Sequence, residues 1–215
     1  MTRLPHQAEP LEAETSFNFR CHPGVACFTE CCRELELALG PYDALRLRQN
    51  LGLSAQEFME RHAVVEFSPD DPYPQVYLAM LDDGRASCPF VGPEGCRVYP
   101  DRPAACRAYP LGRGVSLRPD GQRREHLVLV REDHCRGFAE PQPQTAQDWQ
   151  QEQGLAEYNA ASDRLLALLT GTDGRLRRLS EAEGELYLDH LYRLTPEVGL
   201  EAALDRLDHR WRTPR

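Results

Sequence analysis

The sequence contains no lysine, so all 25 of its basic residues are arginines. This absence excludes a lysine nucleophile or a Schiff base on lysine. The 34 acidic residues leave a formal net charge of −9. An acidic balance argues against general nucleic-acid binding, because proteins that bind nucleic acids carry a basic surface. We therefore expect no nucleic-acid partner.

The sequence also lacks a long apolar segment. No run approaches the roughly 18 apolar residues that a membrane span needs, and prolines and glutamates interrupt residues 1–19, where a secretory signal would be apolar. We therefore expect a cytoplasmic protein without a membrane partner. Cytosolic thiols are kept reduced, so the eight cysteines are expected to bind metal. A secreted disulfide scaffold is the weaker alternative, since such scaffolds are usually shorter than about 100 residues.

The composition predicts an α+β fold with much irregular structure, because 17 prolines and 15 glycines interrupt the chain. We expect a flexible lead-in over residues 1–16 and a cysteine-cluster domain over 17–140. A C-terminal helical extension over 141–215 follows. The middle region is expected to be a small, irregular, metal-stabilised domain with β-hairpins and short helices.

Local patterns predict the elements of the cysteine-rich region. Ser54 and Glu57 form a capping box, which places a helix over 55–62. The segment 88–111 contains five prolines, so long regular elements are excluded there and a bound metal would supply the missing order. The other expected elements are a strand over 34–39, a helix over 43–50, a hairpin of 75–81 with 85–88, and a hairpin of 115–118 with 126–131 through a turn at 119–121.

The C-terminal region lacks cysteine and reads as helical. Thr145 is the expected N-cap of one helix over 145–169, which a turn at 171–174 ends. Ser180 caps a helix reaching about residue 194, and Thr195-Pro196-Glu197 begins a last one. We interpret this region as packing structure or as a surface for a protein partner.

The candidate metal ligands are the eight cysteines: Cys21, Cys27, Cys31, Cys32, Cys88, Cys96, Cys106 and Cys135. Eight thiolates match two four-coordinate sites. The gaps differ from those of zinc fingers, whose paired ligands stand about two to four residues apart. Adjacent side chains such as Cys31 and Cys32 point apart in most backbone conformations and rarely reach one ion. The pattern therefore indicates two metals or a polynuclear cluster.

Neighbouring residues offer charge compensation and further ligands. Four cysteines are followed directly by an arginine, whose guanidinium group would offset thiolate charge: Arg33, Arg97, Arg107 and Arg136. His22 and His134 stand next to Cys21 and Cys135, and either would complete a coordination sphere. A histidine beside a liganding cysteine is, however, more often outside the metal's first coordination shell.

Several segments resemble the YkgJ-type cysteine-cluster family: the cysteines of 21–32, Cys-Pro-Phe at 88–90, the run 95–103, and Cys-Arg-Ala-Tyr-Pro at 106–110. The similarity covers about residues 20–140, and 145–164 is also similar to the helix that follows in shorter bacterial members. The resemblance implies zinc or iron chelation by the cysteines from Cys21 to Cys106. The gap between Cys21 and Cys27 is wider than in many members, and Cys135 matches a looser feature. Tyr99, Pro103, Tyr109 and Pro110 are interpreted as residues that shape the loop.

We expect a metal-chelating protein that acts as a binding or accessory module. Iron, held as an iron–sulphur cluster, is favoured by the irregular spacing, and zinc is the alternative. The resembled family also includes flagellin lysine N-methylases. An iron–sulphur-dependent protein lysine N-methyltransferase is therefore the competing function, although no glycine loop for S-adenosylmethionine is recognisable.

Overall fold

The protein is described by a computed structural model that covers residues 8–117, 122–171, 174–193 and 199–212. Short strands alternate with helices, which confirms the α+β class. The strands are β1 (Ala8–Leu11), β2 (Ser16–Asn18), β3 (Ala63–Glu66), β4 (Gln75–Leu78), β5 (Val91–Gly92), β6 (Gly95–Cys96), β7 (Leu111–Leu117), β8 (Arg123–Val130) and β9 (Pro143–Thr145). The α-helices are α1 (Pro41–Leu51), α2 (Ala55–His62), α3 (Ala104–Ala108), α4 (Ala146–Glu152), α5 (Ala156–Leu169), α6 (Glu181–Leu188) and α7 (Leu200–Arg212).

The largest sheet has three antiparallel strands in the order β1-β8-β7. The β7–β8 pair confirms the second predicted hairpin and extends it, while the expected turn at 119–121 lies outside the described residues. Strand β1 pairs along the other edge of β8 with Ala8 opposite Val130. The expected lead-in therefore contains a strand. Pairing of β2 with β9 then places the segment just before the first cysteines beside residues 143–145.

The first predicted hairpin has the wrong partner strand. β4 pairs with β3, which follows α2 directly and has the β-branched pair Val64-Val65. The predicted return strand accepts one backbone hydrogen bond from Leu81, at Ser87, and otherwise forms a single bridge with the chain around Arg33. The strand expected over 34–39 is likewise reduced to one isolated bridge, between Ala38 and Tyr77. The hairpin prediction fails because β3, a more β-prone segment than 85–88, occupies the position beside β4.

The helices of the first half form where predicted. Ser54 accepts a hydrogen bond of 3.2 Å from the Glu57 backbone N–H, and the Glu57 carboxylate returns to Ser54, so the capping box is confirmed. The segment 88–111 contains only two-residue strands, one 3-10 turn and the five-residue helix α3. The prediction of short irregular elements there is correct.

The C-terminal region departs from its prediction at one point. The single helix expected over 145–169 is two helices, α4 and α5, because Gly154 takes the left-handed conformation with φ +61°. Thr145 and Ser180 cap α4 and α6 as predicted. Helix α6 continues into a π-helical turn over Asp189–Arg193, and the expected helix start at 195–197 lies outside the described residues. Among the residues that the structure describes, no helix is both long and apolar enough to cross a membrane.

Two separate hydrophobic clusters form the interior. The larger joins α1, α2 and β4 to the C-terminal helices, and includes Leu47, Phe58, Leu188 and Leu204, all almost completely buried. The smaller lies under the three-stranded sheet and includes Phe19, Leu129 and Trp149. The larger cluster thus draws on both the expected cysteine domain and the expected helical extension.

Candidate metal centre

The first cysteine segment is a series of tight turns. Between residues 22 and 32, four backbone N–H groups each donate to the carbonyl three residues earlier, over 2.9–3.0 Å. Thr29 takes a left-handed conformation with φ 70°, just before the 3-10 turn Glu30–Cys32. Repeated turning keeps four cysteines within a short stretch of space.

The second cysteine block lies directly against the first. The Cys88 backbone N–H donates to the Cys32 carbonyl over 2.8 Å. Gly95, next to Cys96, lies so close to Phe28 that a Cβ there would stand 3.0 Å from the ring. The prediction that the two blocks meet in space is confirmed.

Cys135 is brought to the same place by its own segment. The backbone N–H of Arg136 donates to the Cys27 sulphur over 3.1 Å. Arg20 donates to the Gly137 carbonyl over 3.1 Å, and a Cβ on Gly137 would meet the Phe19 ring at 2.7 Å. Only glycine permits this approach without a shift of its neighbours. Residues 135–137 therefore pack tightly against the start of the first block.

Cys106 lies on α3, which is fastened to the start of α1. The buried carboxylate of Asp43 accepts hydrogen bonds of 2.8 Å from the backbone N–H groups of Gly40 and Ala104. Burial raises the pKa of Asp43, and the two N–H donors oppose this rise. Helix α3, which carries Cys106, is thus held by the start of α1, and α1 packs into the larger hydrophobic cluster.

The pKa shifts of the thiols indicate which sulphur atoms interact electrostatically with one another. Burial raises the pKa of Cys21 to about 11, with further contributions from Cys31, Cys27 and Cys135. The crowded surroundings raise the pKa of Cys106 to about 12 although its side chain keeps solvent access, and Cys88, Cys31 and Cys96 contribute next.

The thiols consequently fall into two sets. One contains Cys21, Cys27 and Cys135, and the other contains Cys32, Cys88, Cys96 and Cys106. Cys31 acts on members of both sets. All eight cysteines therefore belong to one connected arrangement.

The sequence predicts that the adjacent side chains of Cys31 and Cys32 point apart, but in the structure they interact with each other. Their thiols hydrogen-bond to each other, which lowers the pKa of Cys31 and raises that of Cys32. The pair therefore holds one proton more readily than two or none. Metal binding at the two sulphurs would displace that proton.

A cleft of about 420 Å³ opens beside Cys31. Its walls carry both signs of charge, from Glu30, Glu34, Glu132, Arg33, Arg85 and His134. Glu30 pairs with Arg33 over 2.5 Å and with Arg85 over 4.0 Å. The Cys31 side chain is exposed, so solvent reaches the thiols from this side.

The donor set fits a thiolate-bound metal. In the part of the chain that the structure describes, no three cysteine, histidine, aspartate or glutamate side chains already stand where they would hold a metal ion, and binding one would require the thiols to turn toward a common centre. Burial raises the pKa of Cys21, Cys88, Cys96, Cys106 and Cys135, and neighbouring thiolates add to each rise. A bound cation removes this repulsion. Sulphur donors favour zinc, copper(I) or iron–sulphur clusters over magnesium and calcium.

One arginine that acts on three of the thiols is a residue that the sequence did not single out. Arg102 lowers the pKa of Cys21, Cys96 and Cys106. Its only sequence signal is its place four residues before Cys106. Of the arginines that directly follow cysteines, Arg97 lowers the pKa of Cys88 and Cys96.

The two histidines beside cysteines are engaged elsewhere. His22 Nδ1 accepts from the Gly24 backbone N–H over 3.1 Å, and its Nε2 lies 3.2 Å from the Glu140 carboxylate. His134 Nε2 lies 3.5 Å from the Glu132 carboxylate. Metal binding by either ring nitrogen of His22 would require the contact of that nitrogen to break.

The two loop tyrosines differ in their surroundings. Tyr109 packs against Phe19 in the smaller cluster, with its hydroxyl beside Cys135, and burial with that thiol raises its pKa. Tyr99 is 57% exposed and stacks under the Arg102 guanidinium. Tyr109 therefore shields one side of the thiols, whereas Tyr99 supports an arginine.

A comparison with protein families gives one match. The family model CxxCxxCC, described as "Putative zinc- or iron-chelating domain", matches residues 20–145, which is more than half of the chain. The chain belongs to this family. Its first block keeps the closing cysteine pair of the family name, but the preceding gaps are five and three residues instead of two. Comparisons with curated proteins and with solved structures found no match.

Proposed function

We propose that this protein of the chelating-domain family binds two metal centres, or one polynuclear centre, through its eight cysteines. The observation that carries the proposal is the contact of the three cysteine segments, through the Cys88 N–H to the Cys32 carbonyl and the Arg136 N–H to the Cys27 sulphur. The pKa shifts of the thiols support a division into two sets, with Cys31 acting on both. Assigning Cys31 to the set of Cys21, Cys27 and Cys135 gives four thiolates on each side. Cys31 and Cys32 then serve different centres, which removes the difficulty of two adjacent ligands on one ion.

Iron, held as an iron–sulphur cluster, is our proposed metal. The hydrogen bond between the Cys31 and Cys32 thiols supports a centre in which neighbouring sulphurs serve closely spaced metal atoms. Zinc is the second candidate, because two tetrahedral four-cysteine sites use the same two sets of thiols.

Anaerobic purification followed by elemental analysis and visible spectroscopy tests this proposal. An iron–sulphur protein is brown, with broad visible absorbance and matching iron and sulphide contents. A colourless protein with stoichiometric zinc would overturn the iron assignment and keep the chelating function. Protein that holds neither metal, and takes up neither after reduction of its thiols, would overturn chelation itself.

The proposed role is that of a binding or accessory module. A protein partner at the C-terminal helices stays a prediction from the sequence, since many apolar side chains of those helices pack into the larger cluster. A lysine N-methyltransferase is the competing function. The observation that favours it is the carboxylate of Glu34 in the cleft beside Cys31, which would suit a cationic lysine side chain, whereas Glu30 and Glu132 in the same cleft already have basic partners. Transfer of labelled methyl groups from S-adenosylmethionine to a lysine-containing protein would support that alternative over the accessory role.

A further inference from the structure

Arg102 is a buried cation without a carboxylate partner. Arg102 is only 8% exposed to solvent. One terminal nitrogen donates to the Tyr99 carbonyl over 3.0 Å, and the other donates to the Gln153 side-chain oxygen. The guanidinium carbon lies 3.7 Å from the centroid of the Tyr99 ring. No carboxylate among the described residues lies within ion-pair distance of it.

A buried charge held only by neutral acceptors is costly, because they do not replace the hydration that burial removes. Burial accordingly lowers the pKa of Arg102, and Tyr99 and then Cys106 oppose that change. The guanidinium in turn lowers the pKa of Cys21, Cys96 and Cys106, so these sulphurs lie within its electrostatic reach. A divalent ion held by four thiolates carries a net negative charge, so a loaded site would supply the counter-charge that Arg102 lacks.

The interruption between α4 and α5 supplies the acceptors that orient this arginine. Gln153 is the C-cap residue of α4, where helix carbonyls carry partial negative charge. Its side-chain oxygen accepts from Arg102, and its backbone carbonyl accepts from Arg107 over 2.7 Å. The left-handed Gly154 ends the helix at this point. An uninterrupted helix over 145–169 would have used the Gln153 carbonyl within the helix itself.

Resting on the proposed metal binding, we propose that Arg102 is the counter-cation of the metal–thiolate site and that Gln153 is its positioning residue. The C-terminal helical region thereby takes a direct part in retaining metal. The inference concerns residues outside the cysteine set, and it gives the break between α4 and α5 a role.

The substitution Gln153→Glu tests the proposal, because it places a carboxylate against Arg102 and neutralises it while leaving the thiols intact. We expect metal affinity to fall by about 10- to 100-fold, the usual effect of changing a group that supports a metal ligand. Affinity is measured anaerobically on the full chain, by competition for zinc or cobalt(II) with a chromogenic chelator. The matched control is Gln151→Glu, which adds the same charge at an exposed position of α4.

A merely structural role for the pair predicts a different result. The new ion pair would then leave metal affinity unchanged, or raise it together with the stability of the fold. This inference alone would be overturned if the wild-type protein binds metal and the Gln153→Glu variant binds it as tightly as the Gln151→Glu variant. Wild-type protein that binds no metal would overturn the proposed function with it. Arg102→Lys should keep more metal than Arg102→Gln, and, if the latter does not fold, the Gln153→Glu result decides.

Discussion

The backbone N–H of Cys88 donates a hydrogen bond of 2.8 Å to the carbonyl of Cys32. This contact fixes the start of the second cysteine block against the end of the first without using either sulphur. Bringing distant ligands together costs chain entropy that a metal would otherwise have to offset. The Arg136 backbone N–H likewise fixes the last cysteine segment against the first, although here the acceptor is the Cys27 sulphur. Backbone N–H groups therefore bring the three cysteine segments together without a metal.

Serine replacement of Cys32 or Cys106 should lower the metal content sharply, because a hydroxyl group is a poor ligand for zinc or iron at neutral pH. Elemental analysis of anaerobically purified variants measures the loss. His22→Ala is the control and should keep the full metal load, since both ring nitrogens of His22 already have partners. A cysteine variant that kept its full load would remove that residue from the ligand set.

Alkylation should label Cys31 first in metal-free protein. Its side chain is exposed beside the cleft, and the hydrogen bond from Cys32 lowers its pKa to about 7. Because the thiolate is the nucleophile, the rate should rise between about pH 6 and about pH 8. Mass spectrometry of peptides after brief iodoacetamide treatment identifies the site. Equal labelling of Cys31 and Cys32 would contradict the shared proton, and metal loading should protect both.

Removal of metal should loosen residues 88–111 before the C-terminal helices. That segment has only short elements, whereas α5, α6 and α7 contribute to the larger hydrophobic cluster. Hydrogen exchange measured with and without a chelator compares the two regions. Identical exchange of residues 88–111 in both states would show that metal does not order them.

Gly137→Ala should destabilise the protein by about 1–3 kcal/mol, because the added methyl group meets the Phe19 ring and the Arg20 carbonyl at less than 3.0 Å. Urea unfolding measures the change in the free energy of unfolding. Gly114→Ala is the matched control, since no atom lies within 4 Å of its added Cβ. A control that lost as much stability as Gly137→Ala would refute the packing argument.

The sequence predicted the features that depend on local chemistry. Ser54, Thr145 and Ser180 cap helices as expected, because a cap requires only residues three positions apart. The second hairpin was correct because two β-prone runs flank a turn signal. The cysteine pattern gave the family and the meeting of the two blocks.

Non-local choices were beyond the sequence. β4 pairs with β3 and not with residues 85–88. The alternation of apolar and polar residues does not by itself indicate which of two candidate strands will pair. The break at Gly154 interrupts an otherwise helical pattern, and at this break Gln153 meets Arg102 and Arg107, which lie about fifty residues away in the sequence. Arg102 itself was missed because its relation to the thiols exists only in the folded chain.

The cysteines contact both hydrophobic clusters. Cys88 and Cys96 pack against the larger cluster, and Cys135 packs against the smaller. Most domains join such halves with aliphatic side chains, which are chemically inert. Here the side chains that contact the two clusters include cysteine sulphurs, which react with oxidants, alkylating reagents and metal ions. A reagent that alters sulphur therefore acts on the junction of the fold while each half keeps its own interior.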